Sequence, residues 1–160
     1  MSAKSPKSAK RAKKAGGGKL ARSETVTVRL DPKLRYLAEL AARKHRRTLS
    51  SYIEWAIEES LNSIILKRNE DYEWSLAEES SELWDVDEAD RFAKLAQKYP
   101  DLLTHEEQLI LKLVKENKSF LCFDGDINYS YLRENWEAVR QFINGEITRE
   151  DFDAELTIPF

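Results

Sequence analysis

Thr25-Val26-Thr27-Val28-Arg29-Leu30-Asp31-Pro32 carries two structural signals in succession. The first six residues alternate strictly, with Val26, Val28 and Leu30 on one side and Thr25, Thr27 and Arg29 on the other. A period of two predicts a short, half-buried strand. Asp31-Pro32 then ends it, because the carboxylate caps the first free N–H groups of a helix and proline at the first helical position gives up no hydrogen bond. Downstream, Leu34, Leu37, Leu40 and Ala41 recur at three- to four-residue spacing. They predict a helix closing on Arg43-Lys44-His45-Arg46-Arg47, a basic cluster placed favourably at the negative end of the helix dipole. A second helix is expected after Thr48, with Leu49, Tyr52, Ile53, Ala56, Ile57 and Leu61 along one stripe. Ile64 and Ile65 allow it to continue to about Arg68.

A strand this short cannot stand alone, since its open edge and its apolar face both need partners. The order and lengths of these pieces resemble the ribbon-helix-helix family of DNA-binding proteins, the group of the Arc, MetJ and CopG repressors. The resemblance covers residues 24–61, about a quarter of the chain. It implies an intertwined dimer in which two strands pair antiparallel and four helices pack around them. Val26, Val28, Leu30, Leu37, Ile53 and Ile57 would then form the dimer core. In that family the ribbon enters the major groove of double-stranded DNA, which makes Thr25, Thr27 and Arg29 the base-reading residues here. The chemistry suits the role: Arg29 can donate two hydrogen bonds to a guanine edge, and the threonines offer a hydroxyl and a methyl. The family also holds phosphate on the N–H groups that open the second helix, here Thr48, Leu49 and Ser50, with Arg43, Lys44, Arg46 and Arg47 adding positive charge. One departure is the inter-helix turn. Family members often place Gly or Asn there, whereas this turn reads His45-Arg46-Arg47, and a left-handed backbone position costs more without glycine.

Charge also divides the chain, within the second expected helix. The formal net charge of the 160 residues is -3. Residues 1–50 hold 15 Lys/Arg against 3 Asp/Glu, and residues 51–160 hold 11 against 26, so the two parts carry +12 and -15. A polyanion-binding end is joined to an acidic end of different purpose. Residues 1–22 contain six Lys, two Arg and no acid, with Gly16-Gly17-Gly18 near their end. They predict a basic disordered arm, suited to nonspecific DNA affinity or, through Lys10-Arg11-Ala12-Lys13-Lys14, to nuclear import. No apolar run follows those charges as a secretory signal would require. Cys122 is the only cysteine, which rules out an internal disulfide or a multi-thiolate zinc site. The longest apolar runs, Ile64-Ile65-Leu66 and Phe120-Leu121-Cys122-Phe123, are far short of the ~20 residues of a bilayer span. A cytoplasmic, nucleoid-associated protein without a membrane segment is expected.

Glu70 to Asp90 holds ten Asp/Glu among sparse apolar residues. Residues 69–86 are therefore expected to be an acidic linker, partly helical, between a DNA-binding domain over 23–68 and a mainly helical C-terminal domain over 87–160. Within the latter, Phe92, Leu95, Ala96 and Tyr99 predict a helix stopped by Pro100. Thr104-His105-Glu106-Glu107 is a capping-box pattern opening a second helix through Leu109, Ile110, Leu113 and Val114. Ser119 to Phe123 suggests a short strand and Asp124-Gly125-Asp126 a turn. Tyr129 to Ile143 reads as a helix closed by Asn144-Gly145. Trp55 falls off the stripe of the second helix, facing the C-terminal segment, another protein or solvent.

Little here points to catalysis. Asp124 and Asp126 flanking a glycine read as a polar turn rather than metal ligands. His105 has no second histidine at ligand spacing. Cys122, inside an apolar run, reads as a small core residue. No glycine-rich phosphate loop and no nucleophile elbow occur. No enzyme activity, metal or cofactor is expected. The sequence predicts a mainly α protein with one short N-terminal strand, a ribbon-helix-helix module and a small helical C-terminal domain. Its expected function is binding of operator DNA as a homodimer, as a transcriptional regulator or repressor, with higher oligomers on DNA if the acidic domain joins dimers. The alternative is an antitoxin-like or DNA-processing accessory protein whose residues 70–160 bind a protein partner.

Overall fold

The computed structural model describes residues 25–156, so the basic arm expected over residues 1–22 lies outside the described residues. The described chain is mainly helical, with one small two-stranded antiparallel sheet. Helices α1 (Pro32–Lys44) and α2 (Leu49–Leu61) come first, followed by the hairpin β1 (Ile65–Arg68) and β2 (Glu73–Ser75). The rest of the helices are α3 (Leu76–Leu83), α4 (Glu88–Lys98), α5 (His105–Glu116), α6 (Tyr129–Glu134), α7 (Trp136–Ile143) and α8 (Arg149–Glu155). Short 3-10 turns precede and follow α5.

The elements start where local chemistry dictates. Asp31 accepts hydrogen bonds from the Lys33 and Leu34 N–H groups at 3.0 Å each, with Pro32 opening α1. Thr48 caps α2 through the Ser51 N–H at 3.2 Å. Thr104 and Glu107 form the expected reciprocal box on α5, and Ser75–Glu78 and Thr148–Asp151 form two more on α3 and α8. Each box satisfies two donors that the helix itself cannot.

Several expectations are corrected. Residues 25–30 carry no ladder in the single chain: the strand pairs among the described residues are β1 with β2 and one bridge between Leu121 and Ile127. A strand is completed by a neighbour's hydrogen bonds, and alternation alone does not supply the neighbour. Helix α2 ends at Leu61 instead of running to Arg68, and Ile65–Arg68 pairs with Glu73–Ser75. The acidic segment over 69–86, expected to be partly helical, does hold a helix, α3, and it also holds strand β2. Asn69 closes the hairpin by accepting from the Asp71 and Tyr72 N–H groups at 3.0 and 2.7 Å, and the Ser75 box then launches α3. Ser119–Phe123 forms a 3-10 turn and a single bridge rather than a strand. The helix expected over Tyr129–Ile143 breaks at Asn135, whose buried side chain donates to the Tyr131 carbonyl at 2.8 Å.

The core belongs to the C-terminal part. Phe92, Ala93 and Ala96 of α4 meet Ile110, Leu113 and Val114 of α5, Leu132 of α6, Val139 of α7 and Phe152 of α8 in one cluster around Phe120. Charged groups tie its rim. Arg133 on α6 grips the nearly buried Asp90 carboxylate on α4 through two nitrogens, at 2.6 and 3.3 Å, which raises the guanidinium's pKa further. Lys98 on α4 reaches Glu79 and Glu82 on α3 at 3.3 and 3.2 Å, joining the hairpin-and-α3 segment to the core.

Candidate nucleic-acid interface

The turn between α1 and α2 is the most constrained part of the basic end. The Arg46 N–H bonds the Arg43 carbonyl at 3.1 Å and the Arg47 N–H bonds the Ala42 carbonyl at 2.9 Å. This nested pair is a Schellman motif, with Arg46 at the position that glycine normally fills. Arg46 accordingly has φ +54°, the only positive φ at a non-glycine residue among the described residues. The left-handed position anticipated in this turn exists, and it is borne by an arginine.

A cluster of three tilted aromatic rings supports that turn. The His45 ring lies 4.9 Å from Trp55 and 5.8 Å from Tyr52, centroid to centroid, and Tyr52 and Trp55 lie 5.6 Å apart. The Arg47 guanidinium sits over the Trp55 ring at 5.5 Å. Trp55 therefore faces the inter-helix turn, not the C-terminal segment. Sequence reasoning missed this pairing, although Tyr52 and Trp55 at i and i+3 share a helix face and look back over the preceding turn.

Arg43, Lys44, Arg46 and Arg47 are all exposed, and none forms an ion pair with a described residue. Glu39, the nearest acid in sequence, is engaged by Arg35 at 3.3 Å. Four cations thus stand beside the start of α2, where the N–H groups of Leu49 and Ser50 have no intrahelical acceptor because they open the helix. Leu49 is half-buried, while Thr48 and Ser50 are exposed. Thr25, Thr27 and Arg29 are exposed as expected, but so are Val26 at 80% and Val28 at 63%. The single chain leaves both sides of residues 25–29 open, and only Leu30 is half-buried.

The apolar exposure continues onto the helices. Helices α1 and α2 pack on each other, yet the apolar residues of α1 that lose most solvent are alanines: Ala42 is buried, and Ala38 and Ala41 are half-buried. Leu34, Leu37 and Leu40 remain exposed, as does Ile57 at 56%, and no residue of α2 is buried. Of the residues expected in a dimer core, Val26, Val28, Leu37 and Ile57 are exposed in one chain, and Leu30 and Ile53 are half-buried.

The acidic part offers different material. Asp124 accepts from the Asp126 N–H at 3.1 Å across Gly125, whose φ of +90° the tight turn requires, so this pair is a turn as expected. Among the described residues no group of three or more His, Cys, Asp or Glu is placed to hold a metal ion, and no helix is long and apolar enough to cross a membrane. Cys122 is exposed, which corrects its reading as a core residue. The Phe120-Leu121-Cys122-Phe123 run buries Phe120 and turns outward at the Leu121–Ile127 bridge. A cleft of about 550 Å³ opens between α4, α5 and α7, with Phe92, Leu95, Ile110 and Trp136 among its lining residues and Arg91 and Arg140 among its charges. Comparison of the chain with protein-family models, curated proteins and solved structures finds no match.

Proposed function

We propose that the chain is a sequence-reading DNA-binding protein that occupies operator DNA as a homodimer, in the manner of a transcriptional regulator. The observation that carries the reading is the open apolar face of the basic end. Val26, Val28, Leu34, Leu37 and Ile57 are all exposed, and Arg43, Lys44, Arg46 and Arg47 form no ion pair with a described residue. An isolated exposed Leu means little, but several large apolar residues left exposed between Val26 and Ile57 favour a surface that another molecule covers. A second copy supplies what is lacking: a partner strand for residues 25–30 and an apolar surface for α1 and α2. Pairing would bury the valines and leave Thr25, Thr27 and Arg29 on the outer side of a two-stranded ribbon. A ribbon of that kind fits the major groove. Arg43, Lys44, Arg46 and Arg47 then neutralise flanking phosphates, and binding falls steeply with salt.

The test is to sequence the DNA fragments that the full chain enriches from genomic DNA at roughly physiological salt, alongside the Arg29→Ala variant. A short repeated or palindromic site is expected. Arg29→Ala should weaken its binding by about 1–3 kcal/mol and relax preference at one position per half-site. Uniform recovery, or a site preference untouched by Arg29→Ala, contradicts the ribbon register.

A second reading assigns the acidic part to a protein partner, as in an antitoxin or an accessory factor. It is favoured by the cleft between α4, α5 and α7, where the buried Trp136 indole N–H has no acceptor among the described residues. Stoichiometric co-purification of a partner that binds the full chain, and not a Trp136→Phe variant, would support it.

A further inference from the structure

We propose that Trp55 is the positioning residue of the DNA-phosphate clamp, holding the Arg47 guanidinium in place by its ring face; this rests on the DNA-binding reading above. The starting point is an oddity of the inter-helix turn. It has the hydrogen bonds of a glycine-terminated helix end, but arginines occupy the left-handed position and the one after it. Long cationic side chains on a bare turn would sample many rotamers, and fixing one for a phosphate costs side-chain entropy. Here Arg47 does not hang free. Its guanidinium lies 5.5 Å from the Trp55 ring centroid, within cation–π range. Trp55 is held from the other neighbours by His45 at 4.9 Å and Tyr52 at 5.6 Å.

The ring cluster spans the junction. His45 is the C-cap of α1, and Tyr52 and Trp55 project from α2. It therefore fixes the arginine-bearing turn relative to the first N–H groups of α2, the two halves of an anion site. A guanidinium held over a ring face by cation–π attraction spends none of its N–H groups on that contact, which leaves them free to donate to a phosphate. Preorganising a donor in this way raises affinity without adding a contact. No carboxylate among the described residues forms an ion pair with Arg47, so the ring orients the group without competing for its donors.

The experiment is a double-mutant cycle on the full chain, measuring affinity for one enriched DNA fragment across a salt series for wild type, Trp55→Ala, Arg47→Ala and the double variant. Arg47→Ala should reduce the salt slope by about one unit, as loss of one phosphate contact does. Trp55→Ala should weaken binding by about two- to tenfold in the wild-type background, the range of an exposed to partly desolvated cation–π contact. In the Arg47→Ala background it should cost almost nothing further. A general loss of folding would weaken binding in both backgrounds alike, and that additive result overturns the proposal. Trp55→Phe, which keeps a ring face under the guanidinium, should retain most of the affinity; a loss equal to that of Trp55→Ala also overturns it. Wild-type binding unaffected by Trp55→Ala defeats the clamp alone. Absence of DNA binding by the wild type defeats the DNA reading and the clamp with it.

Discussion

Arg46 places a charged side chain where the backbone favours glycine, at a cost to folding. Its φ of +54° is a conformation in which a side chain is strained and glycine is not. Arg46→Gly should therefore stabilise the chain by about 0.5–1 kcal/mol in chemical denaturation, while lowering DNA affinity through the lost charge. A variant that is destabilised, or that binds DNA as tightly as wild type, contradicts this account of the turn. Phe120 and Phe123 make a second contrast inside one apolar run. Phe120 is fully buried in the cluster and Phe123 is fully exposed. Phe120→Ala should cost about 3–5 kcal/mol, whereas Phe123→Ser should change stability by no more than about 0.5 kcal/mol. Equal losses in the two variants would mean that the run is not turned at Leu121. The sequence showed the cations and the missing glycine of the turn, because both are local facts. It did not show that Phe120 and Phe123 part company, since a run of four apolar residues has no period to say which of them faces inward.

At the scale of elements, caps were the most legible feature and the β-hairpin the least. Asp31-Pro32, Thr48 and the Thr104–Glu107 box each start a helix as their chemistry predicts, because capping depends on residues one to three positions apart. The Ser75–Glu78 box carried the same signal, but it was submerged in an acidic stretch that read as a linker. The hairpin depends on pairing across the Asn69 turn, and Ile64-Ile65-Leu66 suits a helix end as well as a strand. The same caps set the response to acid. Glu78 is held below the usual carboxylate range first by the Tyr72 hydroxyl and then by Ser75. Asp151 is lowered by the Thr148 hydroxyl and N–H, and Asp85 first by the Lys94 ammonium at 2.8 Å. Depressed native values mean that this stabilisation is complete above the unfolded carboxylate range, about pH 4, and is lost as pH falls through the lower native values. Thermal melts should therefore hold near neutral pH and decline below about pH 4. Lys94→Met should make that decline shallower by removing the main cause of Asp85's shift. A melting temperature independent of pH in the acid range, or an unchanged slope in Lys94→Met, would contradict this assignment.

The whole molecule is polar in two senses, charge and burial. Its basic end has an apolar face and almost no buried residue, and the buried cluster lies entirely between Ala89 and Phe152. Residues 25–61 contain only one buried side chain, Ala42. Leu37, Ile57 and the two valines keep much of their surface in water, and the proposed second copy would stabilise the basic end by covering them, by up to about 1.5–3 kcal/mol for a side chain that becomes fully buried. The sequence shows the alternation of residues 25–30, but a period of two does not supply the neighbour that a strand needs, and in the single chain both valines are exposed. The acidic part was less legible, because its packing joins residues far apart in the chain, such as Phe92 with Trp136 and Arg133 with Asp90. The most direct measurement of the central claim is the molar mass of the full chain in solution by sedimentation equilibrium at micromolar concentration, beside a Leu37→Glu variant. The account predicts twice the chain mass for the wild type and a monomer for Leu37→Glu, whose charge falls on the shared face. A wild-type monomer, or a dimer indifferent to Leu37→Glu, would contradict it.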